Sequence, residues 1–95
     1  MALSAKQRRS LLAESHPLKP LMAVGAEGLS ETSVEHLRQC FTGRELIKVR
    51  VQADDGPACD ALAAEIVQRV PCELVRRVGR VLVLYHPPGT TGPTD

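Results

Sequence analysis

Two glycines three residues apart, Gly25 and Gly28, form the part of the sequence whose spacing best suits binding chemistry. They follow an apolar run at 21–24 and precede Ser30, a preferred helix N-cap, so the pattern predicts a strand, a tight turn and a helix. Glycine leaves no side chain in the way of a partner, and the N–H groups at a helix start can receive a phosphate or a nucleic-acid backbone. Spacing alone is a weak signal, because most such glycine pairs are plain turns.

No other residues are spaced for catalysis or for metal binding. Asp54 and Asp55 are adjacent acids, but they precede a predicted helix start, where acidic residues favour capping. The histidines are isolated, and the cysteines form no C-x-x-C pair and fall in patterns typical of small core residues. We therefore predict no catalytic residue and no metal site. The isolated residues are His16, His36, His86, Cys40, Cys59 and Cys72.

The charges are nearly balanced in number but unevenly distributed. Twelve Lys and Arg residues stand against eleven Asp and Glu residues, for a net charge of +1. Basic residues dominate residues 1–20 and return at 48–50 and 76–80, whereas residues 54–65 hold acids and no basic residue. The sequence therefore predicts one basic face, to which a polyanion would respond, and one acidic face. Only Phe41 and Tyr85 are aromatic, which argues against a platform of rings that stacks bases.

Length and composition indicate one small domain with an aliphatic core, since 43% of the 95 residues are apolar. No apolar run is as long as a signal segment or a membrane span, and three separated cysteines do not suggest a disulfide framework. We predict a cytoplasmic protein that does not act on a membrane.

The elements that would position these residues follow the order α-β-α-β-α-β-β. A first helix is predicted from a Ser4 N-cap to about Glu14, and two prolines then precede a short buried strand at 21–24. The second helix begins after Ser30 and ends at Gly43, which suits a left-handed cap.

In the second half, residues 45–52 alternate as in a half-buried strand, with Lys48 and Arg50 on its wet face. The remaining predicted elements are a helix with Pro57 at its first position, a strand at 72–78, a tight turn at Gly79-Arg80 and a strand at 81–85. The last strand is apolar at every position, which is typical of a central strand buried on both faces.

These elements predict a compact single α/β domain at residues 1–87, with a four-stranded mixed sheet packed with helices. From His86 onward the chain is rich in Pro, Gly and Thr and has no periodicity. We therefore expect no further element after the last strand, and a disordered tail at 88–95.

Several separated stretches resemble one family, the YhbY-like CRM domain, named for chloroplast RNA splicing and ribosome maturation. The resemblance implies a fold similar to the C-terminal domain of initiation factor three. It also implies an RNA-binding protein that associates with ribosomal RNA in precursors of the large subunit and aids ribosome assembly, without catalysis, cofactor or small-molecule substrate. The matching stretches are Leu3-Ser4-x-Lys6-Gln7-Arg8-Arg9, His16-Pro17-Leu18-Lys19-Pro20, Gly25-x-x-Gly28-Leu29-Ser30-Glu31, Glu45-Leu46-Ile47-Lys48-Val49-Arg50 and Val78-Gly79-Arg80-Val81-Leu82-Val83-Leu84-Tyr85.

The glycine loop departs from the family pattern, in which a basic or small polar residue usually lies between the glycines. Here the pair is Ala26-Glu27, and a carboxylate repels phosphate, so the loop would offer backbone N–H groups and shape rather than charge. The affinity would come from lysines and arginines elsewhere. The predicted RNA-binding residues are Lys6, Arg8, Arg9, Lys19, Gly25, Ala26, Glu27, Gly28, Lys48, Arg50, Arg76, Arg77 and Arg80.

Two alternatives stay open at this point. The near-zero net charge and the acidic loop also suit a protein–protein module that docks on a ribosomal protein or an assembly factor, and the loop itself would then be a plain turn. A small α/β enzyme of the acylphosphatase type suits the length, but the sequence lacks the arginine-bearing glycine loop and the positioned asparagine it would need. The identity of the RNA, the basis of its recognition and the oligomeric state are not indicated by the sequence.

Overall fold

A computed structural model describes residues 3–25 and 27–86, and its elements follow the predicted order. The predicted tail at 88–95, together with Ala26, lies outside the described residues. Within the described part of the chain, no helix has both the length and the apolar character needed to cross a membrane. The elements are α1 (Ala5–Ser15), β1 (Pro20–Val24), α2 (Glu31–Cys40), β2 (Leu46–Val51), α3 (Gly56–Arg69), β3 (Glu73–Val78) and β4 (Val81–Tyr85).

The four strands form one mixed sheet in the order β1-β2-β4-β3. β1 and β2 are parallel neighbours joined through α2, while β4 is antiparallel to both β2 and β3. Helix α3 therefore carries the chain from β2 across to β3, and the hairpin at Gly79 brings β4 back between them. This order makes β4 a central strand, and its middle three residues are buried, as predicted.

The core lies between the sheet and the pair α2 and α3. Alternation in β2 turns Ile47, Val49 and Val51 into this core, where each is at most 1% exposed. Leu37 of α2 and Ile66 of α3 are fully buried against them. Both helices begin at the predicted caps, because the side chains of Ser30 and Asp55 accept backbone N–H groups of their first turns. The predicted aliphatic core is confirmed.

Helix α1 covers part of the opposite face of the sheet, so the domain has three layers. Its start is held by a capping box in which Ser4 and Gln7 each accept the other's backbone N–H. Leu12 of α1 lies over the face of β2 that carries Lys48 and Arg50. The helix is only weakly amphipathic, with Ser15 as its one buried residue, and part of the sheet is left uncovered.

One local prediction is wrong. Strand β1 is not buried throughout, because it lies at the edge of the sheet; Leu21 is 42% exposed and only Val24 is fully buried. His86 follows the last strand within the predicted domain and is packed there: its ring lies on Phe41 with centroids 5.3 Å apart, and its Nδ1 lies at hydrogen-bond distance from the Pro71 carbonyl. The position of a strand at the edge of a sheet and the contact between two rings depend on residues far apart in sequence. Local composition therefore does not predict them.

Candidate nucleic-acid interface

Three basic side chains converge on the sheet face that α1 leaves partly open. Lys48 and Arg50 project from β2 because they alternate with its buried residues. Across the sheet, Lys48 pairs in register with Val83 of β4, which in turn pairs with Arg76 of β3. The register thus places Lys48 and Arg76 on either side of one valine. We call Lys48, Arg50 and Arg76 the groove cations.

These cations line a groove of about 550 Å³ between the end of α1 and the sheet. Leu12 and His16 border it from α1 and the turn that follows. Its floor is apolar, because in-register pairing brings valines of β3 and β4 to the same face as the cations. The other lining residues are Ser15, Pro20, Val78, Val81 and Val83.

None of the groove cations has an acidic partner among residues 3–25 and 27–86. Arg50 and Arg76 are exposed and Lys48 is half-buried. Three positive charges without a counter-charge attract an anion, and the low-dielectric wall of a groove strengthens that attraction. Charge and shape in this groove therefore suit a polyanion.

The other predicted cations of the N-terminal region divide into two kinds. Lys6, Arg9 and Lys19 are exposed, and no hydrogen bond or ion pair holds them within the described chain. Arg8 is half-buried, and its Nη1 donates to the backbone carbonyls of Leu74 and Val75. Those carbonyls lie where the β3–β4 register shifts, so Arg8 supplies a donor at an irregular point of the ladder.

The hairpin arginines are bound to neighbouring parts of the fold. Arg77 donates from Nε to the Asp60 carboxylate at 2.7 Å, and Arg80 donates to the carbonyls of Ala53 at 2.7 Å and Asp54 at 2.8 Å. Arg76 points to the groove while Arg77 points to α3, because adjacent strand residues face opposite sides of a sheet. Arg77 and Arg80 remain predicted RNA contacts, although the structure already gives their guanidinium groups acceptors.

The glycine loop follows β1 at the end of the sheet where Arg50 lies. β1 pairs with β2 through Ala23 and Arg50, and the backbone N–H of Gln52 donates to the Val24 carbonyl just before the loop. The backbone N–H of Gly28 donates to the Gly25 carbonyl at 3.1 Å, which closes a turn.

The two glycines of this loop are favoured by different structural constraints. Gly28 has φ +100°, a region that side-chain-bearing residues rarely adopt, so glycine is required there. Gly25 has no such φ; a Cβ added to it would come within 2.8 Å of the flexible Glu27 carboxylate. The structure therefore describes the positions of three predicted loop contacts, Gly25, Glu27 and Gly28. Ala26 lies outside the described residues.

Acidic side chains surround the start of α2, beside this loop. The Glu65 carboxylate would lie 3.8 Å from a Cβ on Gly28. Arg69 partly balances this charge, because it pairs with Glu31 at 3.3 Å and with Glu65 at 3.7 Å and also donates to the Leu29 carbonyl. The helix N-terminus thus already has three carboxylates nearby, including Glu27, which weakens its attraction for phosphate.

Two of the three cysteine thiols in the described residues are shifted toward the protonated form, and no metal cluster occurs there. Within residues 3–25 and 27–86, no group of three His, Cys, Asp or Glu side chains is close enough to hold a metal ion. Burial, together with a smaller effect of the neighbouring Glu73 carboxylate in the same direction, raises the pKa of the Cys72 thiol to about 12. Burial also raises the pKa of Cys40, against a smaller opposing effect of Arg44. Such thiols are protonated and poor nucleophiles at neutral pH.

The sequence reasoning missed the apolar half of the groove. Val78 is 54% exposed on the edge strand β3, two residues beyond Arg76 on the same face, and it pairs with Val81. Because residues 76 and 78 are two apart in a strand, the sequence could have predicted that they lie on the same face. The register shift between Leu74 and Arg76 meant that the sequence did not show which face this is. The groove also needs the end of α1, which no local pattern places over the sheet.

Fold and site together define a small α/β domain with a basic, side-chain-lined groove of the kind that receives a polyanion. Residues 3–86 match the model of the CRS1/YhbY (CRM) domain, and the chain belongs to that family. The family that the sequence motifs indicated is thereby confirmed.

Named relatives and a solved structure agree with this assignment. The chain is 33% identical over 85 residues to an "RNA-binding protein" of Haemophilus influenzae, covering 90% of this chain and 86% of that protein. It is 31% identical over 83 residues to the "Probable RNA-binding protein YqeI" of Bacillus subtilis, covering 87% and 86%. The solution structure of the hypothetical protein SAV1595 from Staphylococcus aureus superposes with a TM-score of 0.83 at 28% identity, covering 95% of this chain and 94% of that one.

Proposed function

We propose that this protein binds RNA through the partly open sheet face and acts without catalysing a reaction. The observation that carries the proposal is the convergence of Lys48, Arg50 and Arg76 on one groove with no acidic partner in the described chain. Membership of the CRM family and the names of two relatives support RNA as the polyanion. Lys6, Arg9 and Lys19 extend the set of cations available to phosphates.

Salt dependence tests the proposal directly. When lysines and arginines displace counterions from RNA, log K falls linearly with log salt, with a slope of about −0.7 per phosphate contact on a single strand. We expect purified protein to bind ribosomal RNA fragments with a steep negative slope in a titration from 50 to 300 mM KCl, since several cations contribute. Binding that is absent at low salt, or that does not change with salt, would contradict the proposal.

The finer part of the proposal is association with ribosomal RNA in cytoplasmic precursors of the large subunit, where the protein would aid assembly. It rests on the resemblance of the motifs at 16–20, 25–31 and 78–85 to the CRM family. Crosslinking in cells, followed by sequencing of the bound RNA, should recover large-subunit ribosomal RNA that still carries precursor sequences. Recovery of unrelated transcripts alone would refute the ribosomal part and leave RNA binding intact.

A protein partner is the second candidate, and the acidic surroundings of α2 favour it. Glu31 and Glu65 share Arg69 as a cation and Glu27 lies in the preceding loop, so this acidic region suits a basic segment such as those of ribosomal proteins. A partner that remains bound in a pull-down after nuclease treatment would support this function. Loss of all partners on nuclease treatment would favour RNA as the direct ligand.

A further inference from the structure

The floor of the groove has an apolar strip that phosphates do not use. The register places Arg50, Val81 and Val78 in one row across β2, β4 and β3. The next row holds Lys48, Val83 and Arg76. Val83 is fully buried, whereas Val78 is 54% exposed and Val81 is partly exposed. The solvent-facing apolar surface therefore lies between Arg50 on one side and Arg76 on the other.

This arrangement distinguishes among forms of RNA. The groove cations alone would accept the phosphates of any RNA, single-stranded or double-stranded. In a duplex, however, the flat apolar faces of the bases are covered by the bases above and below them. An unpaired base exposes its face and can be splayed away from its neighbours. Burying that face on valines removes apolar surface from water on both sides of the contact.

We propose that the groove receives an unpaired nucleotide of single-stranded RNA, and this inference rests on the proposed RNA-binding function. The base lies on Val78 and Val81, and the phosphates on either side of it contact Arg50, Arg76 and Lys48. Residues two apart in a strand are separated by roughly 7 Å, so Lys48 and Arg50 reach different parts of the RNA backbone. His16 borders the groove from the end of α1 and supplies a ring that can stack on a base.

The test compares two RNA probes of equal charge on the full chain. One is a labelled decamer of uridine, and the other has the same sugar-phosphate backbone without bases. Fluorescence anisotropy at 50–200 mM KCl should show the uridine decamer binding about fivefold or more tightly, because only it offers apolar faces to the valines. The two probes should have the same salt slope, since their phosphates are the same.

Substitutions at the exposed valine then assign the preference to the groove. Val78→Asn should lower the preference for the uridine decamer to less than about twofold without changing the salt slope. Val78→Ile, which retains an apolar surface, should keep it. The matched control is Leu21→Asn, which alters an aliphatic residue 42% exposed on the opposite edge strand and outside the groove lining; it should also keep the preference.

The outcomes separate this inference from the function on which it rests. If neither probe binds at 50 mM KCl, RNA binding itself fails. If both bind equally with a steep salt slope, RNA binding stands and the base site is refuted. A preference that survives Val78→Asn, or that Leu21→Asn removes as completely, would place the base elsewhere and overturn the assignment to this groove.

Discussion

Two groups of three basic side chains in this domain have the same charge and opposite surroundings. The groove cations have no acidic partner in the described chain and face solvent beside an apolar floor. The second group, which we call the tethered arginines, comprises Arg69, Arg77 and Arg80. Each of these donates to a carboxylate or a backbone carbonyl of another element. A count of basic residues therefore does not identify a binding surface; the distinction is whether each cation already has acceptors.

The difference also separates binding from stability. A tethered arginine must give up a hydrogen bond to contact RNA, so its net contribution to affinity is reduced by what it loses. Arg80 joins the hairpin to the loop before α3, and Arg69 joins the end of α3 to the start of α2. These contacts hold the elements that surround the glycine loop. The groove cations make no such contact and can be altered with little effect on the fold.

The largest expected effect comes from neutralising the groove cations together. Lys48→Gln, Arg50→Gln and Arg76→Gln in one chain should lower affinity for single-stranded RNA about 100-fold near physiological salt, since three phosphate contacts are lost. The salt slope should become shallower by about two. Anisotropy titrations over a range of KCl concentrations measure both quantities, and the free energy of unfolding in urea should change little.

The matched control has the same net charge and the opposite expected result. Arg69→Gln, Arg77→Gln and Arg80→Gln in one chain should lower RNA affinity less than about threefold, because only the long-range field changes. This variant should instead lose about 1–2 kcal/mol of unfolding free energy. If the two triple variants lose affinity equally, the distinction between the groups is wrong and the hairpin arginines belong to the binding surface.

Arg8 and Arg9 of α1 allow the same comparison between a bound and an unbound arginine within one helix. Arg8→Met should reduce the free energy of unfolding by about 1–2 kcal/mol, because the carbonyls of Leu74 and Val75 lose their donor. Arg9→Met should reduce it by less than about 0.5 kcal/mol, since Arg9 is exposed. Urea denaturation measures both. Equal losses would mean that the Arg8 contacts contribute nothing to stability.

Ionisation of the Cys72 thiol should make the stability of the fold depend on pH. Its folded pKa of about 12 lies above its ordinary value of 9.0, so the unfolded thiol ionises first as pH rises. The unfolded state then holds fewer protons than the native state, and stability should fall above about pH 9. By pH 10 the loss should reach about 1 kcal/mol relative to Cys72→Ala, measured as the difference between urea unfolding at pH 8 and at pH 10. Parallel pH profiles for the two proteins would show that the thiol stays accessible to ionisation in the fold.

The smallest expected effect concerns the glycine loop. Glu27→Ala should raise RNA affinity by about twofold at most, because it removes one exposed, screened carboxylate from the loop after β1. Arg8→Glu together with Arg9→Glu should change affinity more, and in the opposite direction. A loss of affinity in Glu27→Ala larger than that of the arginine variant would move the binding surface to the loop.

Local patterns in the sequence were sufficient for most of the fold. The caps at Ser4 and Ser30, the alternation of 45–52 and the continuous apolar run at 81–85 each express a preference that acts within a few residues. The elements therefore begin and end within one or two residues of the predicted positions, except that α2 ends at Cys40 and Gly43 lies two residues beyond its C-cap Phe41. The error at Leu21 arose because its exposure depends on the position of β1 at the edge of the sheet, and local composition likewise gave no sign of the ring contact of His86.

The sequence by itself determined the family of the domain and the number and distribution of its charged residues. Motifs at the right spacing identified the family, and the excess of basic residues outside 54–65 indicated a polyanion. The tertiary structure alone decided which cations remain without partners, because that depends on strand register and on contacts between residues far apart in the chain. The register shift before Arg76 turns it to the groove and leaves Arg77 beside Asp60. For the same reason the glycine pair, which the sequence made most prominent, lies beside the groove with acidic neighbours and contributes shape rather than charge.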